Sequence, residues 1–188
     1  MMRKWIILSA IGLMLMFNGA CVLLGPVDSD AEDQSNPASA WESVLVKEVV
    51  DGDTITLTDG RRVRLIGINA PETRNGDEIY GKEAAQALTA LIKNKVVFLE
   101  KDISETDQYG RTLRYVWLER KNPKESSTVR EWMVNGILLD QGYAQPYTFP
   151  PDIKYVDWFI TFAREAHTQG RGLWGIDPDG TTRGTPLY

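Results

Sequence analysis

The sequence predicts a mainly β domain: a small closed or nearly closed barrel of five short strands with three α-helices packed against it. Three observations carry that expectation: short β-branched runs that alternate with period two, Asp-Gly turn signals between them, and two helical stripes, one after the third strand and one near the C-terminus. At 188 residues the chain has room for one domain with a substantial core and too little for two.

The elements follow in order. Val44 to Val50 is β-branched and apolar, and Asp51-Gly52-Asp53 turns it. Thr54 to Thr58 alternates, with Ile55 and Leu57 on one face, and Asp59-Gly60 is a strong two-residue hairpin signal. Arg61 to Ile68 returns as a third strand, in which Arg64 points away from Val63 and Leu65. Asn69 to Ile79 reads as a polar loop. Ala84, Ala87, Leu88, Leu91 and Ile92 then mark one buried stripe of a helix over about 81–93. Val96 to Glu100 and Thr112 to Leu118 are the fourth and fifth strands, separated by a polar loop. After the charged stretch 120–128, Val129 to Trp132 looks strand-like. A short helix is expected over Val134 to Gln141, closed by Gly142, and a third over about 153–168, with Tyr155, Trp158, Phe159, Phe162, Ala163 and Ala166 on one face.

The two ends of the chain differ from the middle. Arg3 and Lys4 precede the uncharged apolar run WIILSAIGLMLMF, which is a signal-peptide pattern too short to span a bilayer comfortably. The sole cysteine, Cys21, follows in FNGAC, which resembles the processing box of bacterial lipoproteins, with Asn18 departing from it. Ala38-Ser39-Ala40 offers ordinary signal peptidase an alternative site. The expected organisation is a leader over 1–21, an acidic linker over 22–42, the barrel domain over 43–177 and a tail over 178–188. The protein is expected outside the cytoplasm, anchored to the membrane by a lipid on Cys21 or secreted.

Charge narrows the function classes. Of 21 basic and 26 acidic residues, 2 basic and 4 acidic precede residue 41, leaving 19 against 22 and a net −3 for the rest. That balance disfavours a protein that coats nucleic acid tightly and suits one that turns substrate over at a locally positive site. The single histidine, His167, sits on the last turn of a helix, so no histidine base or zinc cluster is on offer, and no phosphate-cradling glycine loop is present.

Two polar clusters stand at one end of the expected sheet. Asp51 and Asp53 flank a glycine, and Asn69 and Glu72 flank Ala70-Pro71, which together offer oxygen ligands to a hard cation. Asp and Gly are also ordinary turn formers, so spacing alone leaves metal binding open. Arg64 and Arg111 each carry a fork that matches phosphate oxygens, and two forks with a carboxylate between them meet the needs of phosphodiester hydrolysis. Solvated strand arginines would have the same spacing.

The strings DGDTITL (51–57), RLIGINAPET (64–73), YGKEA (80–84), DQYGRTL (107–113), VNGILLDQGYA (134–144) and GRGLWG (170–175) occur in one order over about 44–175. This pattern is similar to that of the staphylococcal nuclease (thermonuclease) family. The resemblance implies a five-stranded OB-fold barrel with three helices, acting as a monomer on single-stranded DNA or RNA. It implies Arg64, Glu72 and Arg111 as catalytic residues, with Glu72 accepting a proton from the attacking water directly or through another water. It implies Ca2+ held by Asp53, by the position of Asn69, and by the backbone carbonyl of Ala70. Asn69 replaces an aspartate, so weaker calcium binding or use of another divalent ion is expected. Tyr109 matches a tyrosine near the terminal phosphate, and Tyr143, Tyr147 and Phe149 lie where aromatics flank a base. Gln108 replaces a common lysine. The resemblance also admits an inactive or weakly active nucleic-acid-binding barrel.

Overall fold

The computed structural model describes residues 41–73 and 78–180. The leader with Cys21, the linker up to residue 40 and the end of the tail lie outside the described residues. Among the described residues no helix is long and apolar enough to cross a membrane.

Strand β1 (Glu42–Val49) starts the domain. Its first half pairs with β5 (Val96–Glu100) and its second half with β2 (Thr54–Leu57), and the ladder shifts between Val46 and Glu48. That irregularity lets one strand serve two neighbours and bends the sheet into a tube. β2 pairs with β3 (Arg62–Leu65), β3 runs parallel to β6 (Thr112–Trp117), and β6 pairs antiparallel with β5. The result is a closed five-stranded barrel in the order β1-β2-β3-β6-β5, the architecture of an OB fold. Inward positions alternate as the sequence predicts: Val46, Ile55, Leu57, Val63, Leu65 and Val97 are fully buried.

β3 is shorter than its sequence suggests. The chain breaks at Ile66-Gly67, where Gly67 takes φ 78°, and resumes as β4 (Ile68–Asn69), which pairs with β7 (Gln145–Pro146). Helix α1 (Gly81–Ile92) closes one end of the barrel with Ala84, Leu88 and Ile92. α2 (Ser126–Trp132) is a correction to the expected strand: it is a seven-residue helix with Val129 as its only buried side chain. α3 (Val134–Asp140) follows directly, and its buried Asn135 spans two elements, donating to Ile66 O at 2.8 Å and accepting from Val116 N at 3.0 Å. α4 (Val156–Thr168) buries Phe159, Phe162, Ala163 and Ala166, each large apolar side chain contributing about 1.5–3 kcal/mol. With α2, the described residues hold four α-helices, and a 3-10 turn (Gly172–Gly175) ends the ordered core.

Candidate active site

The barrel positions the two arginines through its pairing. β2 and β3 place Thr54 opposite Arg64, and the parallel seam places Arg64 opposite Leu113, so the start of β6 and the preceding Arg111 come alongside β3. A hydrogen-bonded chain links the two guanidinium groups. Arg64 Nε lies 3.1 Å from Asp53 Oδ1, Thr54 Oγ1 donates to that same oxygen at 3.0 Å, and Arg111 Nη1 donates to Thr54 Oγ1 at 3.3 Å. Both arginines line one cleft of about 480 Å³, with Asp107, Tyr109, Tyr147 and Phe149 among its other walls.

Arg64 is built into the protein. Its side chain is 11 % exposed; Nη1 donates to Leu65 O and Ile68 O at 2.6 and 2.8 Å, and Nη2 reaches Asn69 Oδ1 at 3.4 Å. Arg111 is held by fewer contacts, at Nε by Asp107 and at Nη1 by the long bond to Thr54 Oγ1. Asp107 Oδ2 accepts from its Nε at 2.7 Å, while Asp107 Oδ1 accepts from the backbone N–H of Tyr109 and of Arg111, both at 2.9 Å. Gly110, with φ 76°, makes that tight loop possible. The Nη2 group of Arg111 has no protein acceptor among the described residues, and its guanidinium carbon lies 5.6 Å from the centre of the exposed Tyr109 ring.

The two aspartates beside these arginines are tuned in opposite directions. Burial raises Asp53, the Arg64 charge pulls it back and Asp51 pushes it up again, leaving it near 6. Burial also acts to raise Asp107, but the hydrogen bonds from Arg111 and Tyr109 outweigh it and hold the carboxyl below its ordinary value.

Asp53 also ties the cation candidates together. Its Oδ2 accepts the Ala70 N–H at 2.9 Å, and Asn69 Oδ1 shares Arg64 with it. One carboxylate, one amide oxygen and the Ala70 carbonyl are hard donors that fit a divalent cation such as calcium, although no group of three or more His, Cys, Asp or Glu stands together among the described residues.

Glu72 does not line the cleft; it is half-buried on the segment that leaves Ala70 and meets the start of α1. Of the aromatics, Tyr109 and Tyr147 are in the cleft wall, whereas Tyr143 stacks on Tyr80 at 5.7 Å and is not part of it. Phe149, 68 % exposed, stands in the wall with Tyr147. Asp152 Oδ1 accepts from Ile103 N at 3.0 Å and Ser104 N at 2.8 Å, joining the two loops that form the cleft's sides. Thr54, Asp107 and Asp152 escape a reading by residue type. Only Asp107 carries a sequence signal, an acid four residues before an arginine with Gly110 between them.

Residues 62–175 match the family model described as staphylococcal nuclease homologue. The chain is 38 % identical to a thermonuclease of Staphylococcus intermedius over 139 residues, 71 % of this chain and 76 % of that one. It is 32 % identical to a thermonuclease of Staphylococcus hyicus over 156 residues, covering 80 % and 83 %. It is 33 % identical to a micrococcal nuclease of Shigella flexneri over 152 residues, covering 77 % and 80 %. With the matched region spanning the barrel from β3 onward and both arginines in one cleft, the chain belongs to the staphylococcal nuclease family.

Proposed function

We propose that this protein is an exported, calcium-assisted endonuclease that hydrolyses phosphodiester bonds of single-stranded DNA and RNA, leaves 3′-phosphate ends and acts as a monomer. General nuclease chemistry follows from the family; the finer terms are our reading of this chain. The observation that carries it is the convergence of Arg64 and Arg111 on one cleft through Asp53 and Thr54.

In this reading a water attacks phosphorus in line with the 5′ oxygen. Glu72, which stands outside the cleft wall, takes the water's proton directly or through another water, the P–O5′ bond breaks, and the leaving oxygen is protonated by solvent. The unbonded Nη2 of Arg111 and the cleft-facing edge of Arg64 donate to the phosphoryl oxygens and hold the added charge of the five-coordinate state. Asp53, Asn69 and the Ala70 carbonyl would hold Ca2+, which supplies charge neutralisation at a phosphate oxygen. Tyr109, Tyr147 and Phe149 offer faces on which a base stacks without being read, and phosphate contacts position a chain without selecting its sequence. Tyr143, stacked on Tyr80 beside that cleft, is the further aromatic proposed to meet the substrate. The leader and Cys21 support export with a lipid anchor.

A specific observation favours a second reading. Asn69 stands where a second carboxylate would strengthen the cation site, and its oxygen faces Arg64; a barrel that binds nucleic acid and cleaves it feebly would look the same. The deciding experiment incubates the purified protein with single-stranded DNA in calcium and then in chelator, with Glu72→Gln in parallel. Calcium-dependent cleavage to 3′-phosphate ends, lost in Glu72→Gln while binding persists, is the expected result. Binding with no cleavage selects the second reading; cleavage that survives chelation removes calcium, and undiminished cleavage by Glu72→Gln removes Glu72. Labelling with radioactive palmitate, abolished by Cys21→Ala, tests the anchor.

A further inference from the structure

Glu72 belongs to neither a strand nor a helix, so no sheet ladder or helical turn holds its backbone. Both polar groups of its main chain end on one residue. Glu78 Oε2 accepts the Glu72 N–H at 2.9 Å, and the Glu78 N–H donates to Glu72 O, also at 2.9 Å. Glu78 is in turn fixed to the first turn of α1, because its carbonyl accepts from Gly81 N at 3.1 Å.

Gly81 completes the clamp. A Cβ at that position would lie 2.7 Å from Glu72 O and 3.0 Å from Pro71 O, so the start of α1 touches the Pro71–Glu72 main chain directly. From the other side, Ala70 is held by Asp53 Oδ2 at 2.9 Å, two residues before Glu72. A Cβ at Gly52 would come within 2.4 Å of the Ala70 Cβ and 2.9 Å of the Ala84 Cβ, so the same helix also backs the Asp51-Gly52-Asp53 turn. The segment carrying Glu72 therefore runs between two anchors that share α1 as a base plate.

We infer that Glu78 is a positioning residue for Glu72: its carboxylate and its backbone N–H form a two-bond latch that fixes the Glu72 main chain, and with it the direction in which the Glu72 side chain leaves. Glu78 touches no substrate in this assignment. The inference rests on the proposed role of Glu72 as the base. A displacement of about an ångström in such a group costs a reaction up to about a hundredfold in rate while leaving substrate binding nearly intact.

The test compares Glu78→Ala with Glu78→Gln in the full chain, reading kcat, KM and the hydrogen exchange of the Glu72 amide. Glu78→Ala removes the acceptor: kcat should fall about 10- to 100-fold with KM changed less than about twofold, and the Glu72 N–H should exchange faster. Glu78→Gln keeps a carbonyl oxygen in place and should restore both readings toward the parent. In a Glu72→Gln background, Glu78→Ala should add no further loss, as expected of residues acting as a unit. Parent-like kcat in Glu78→Ala, equal losses in Ala and Gln, or unchanged exchange at Glu72 would each overturn the assignment. Should the parent protein cleave nothing, the exchange measurement still decides: accelerated exchange sustains the latch and removes only the enzyme reading, and unchanged exchange removes the latch.

Discussion

Arg64 and Arg111 reach the same cleft from opposite kinds of support. Arg64 stands within a strand, meets the buried Asp53 and spends its N–H groups on backbone carbonyls of the β3–β4 corner. Arg111 stands at the mouth of a turn, is a quarter exposed, and leans on Asp107 and Thr54 while its Nη2 group has no acceptor among the described residues. One arginine is part of the wall and the other is mounted on it. A guanidinium that doubles as a structural brace is fixed in position but has few donors left for a ligand; one held by a carboxylate and a single long hydroxyl contact has donors to offer.

Replacing each arginine by methionine gives the largest separation. Arg64→Met leaves the Asp53 carboxyl buried without its counter-charge and should lose about 3–5 kcal/mol in urea unfolding, whereas Arg111→Met should lose about 1 kcal/mol or less. Equal losses would erase the distinction between brace and clamp. Next in size, Arg111→Lys should reduce kcat about 100-fold or more while the urea midpoint stays at the parent value, since a point charge cannot reproduce a fork. Retained turnover in Arg111→Lys would take that side chain out of the phosphate clamp.

Asn69→Asp sharpens the comparison from the metal side, because Asn69 touches Arg64 and not Arg111. A second carboxylate beside Asp53 should lower the calcium concentration for half-maximal cleavage about tenfold, measured by calcium titration. An unchanged titration would separate Asn69 from the cation. The smallest effect concerns Asp107, whose carboxyl is held below its ordinary value by Arg111 and Tyr109. Its contribution is complete above the ordinary aspartate range and is lost as pH falls through the lowered folded value. Asp107→Asn should therefore cost about 1 kcal/mol or less at neutral pH and leave a flatter acid limb in unfolding measured against pH.

Much of the barrel is legible in the sequence because its signals are local. Ile55, Leu57, Val63 and Leu65 alternate with polar partners, and Ala84, Leu88 and Ile92 recur at helical spacing, so each segment announces its buried face. α2 was illegible for the converse reason. With Val129 alone buried it has no periodic stripe, and contacts with α3 and α4 decide its conformation. The two-residue pairing of β4 with β7 is equally invisible, being a product of where the chain returns. The same divide runs through the site. Arginines and acids stand out by residue type, but Thr54 gains its place only by lying opposite Arg64 across the ladder, and the stacking of Tyr143 on Tyr80 joins residues far apart in the chain.

The parallel seam between β3 and β6 has a further consequence. Those strands are separated in the chain by a helix and two further strands, so their pairing is a long-range contact. Before the seam zips, the two guanidinium groups belong to unconnected pieces and no pincer exists. The pairing of the two guanidinium groups thus depends on the sealing of the tube.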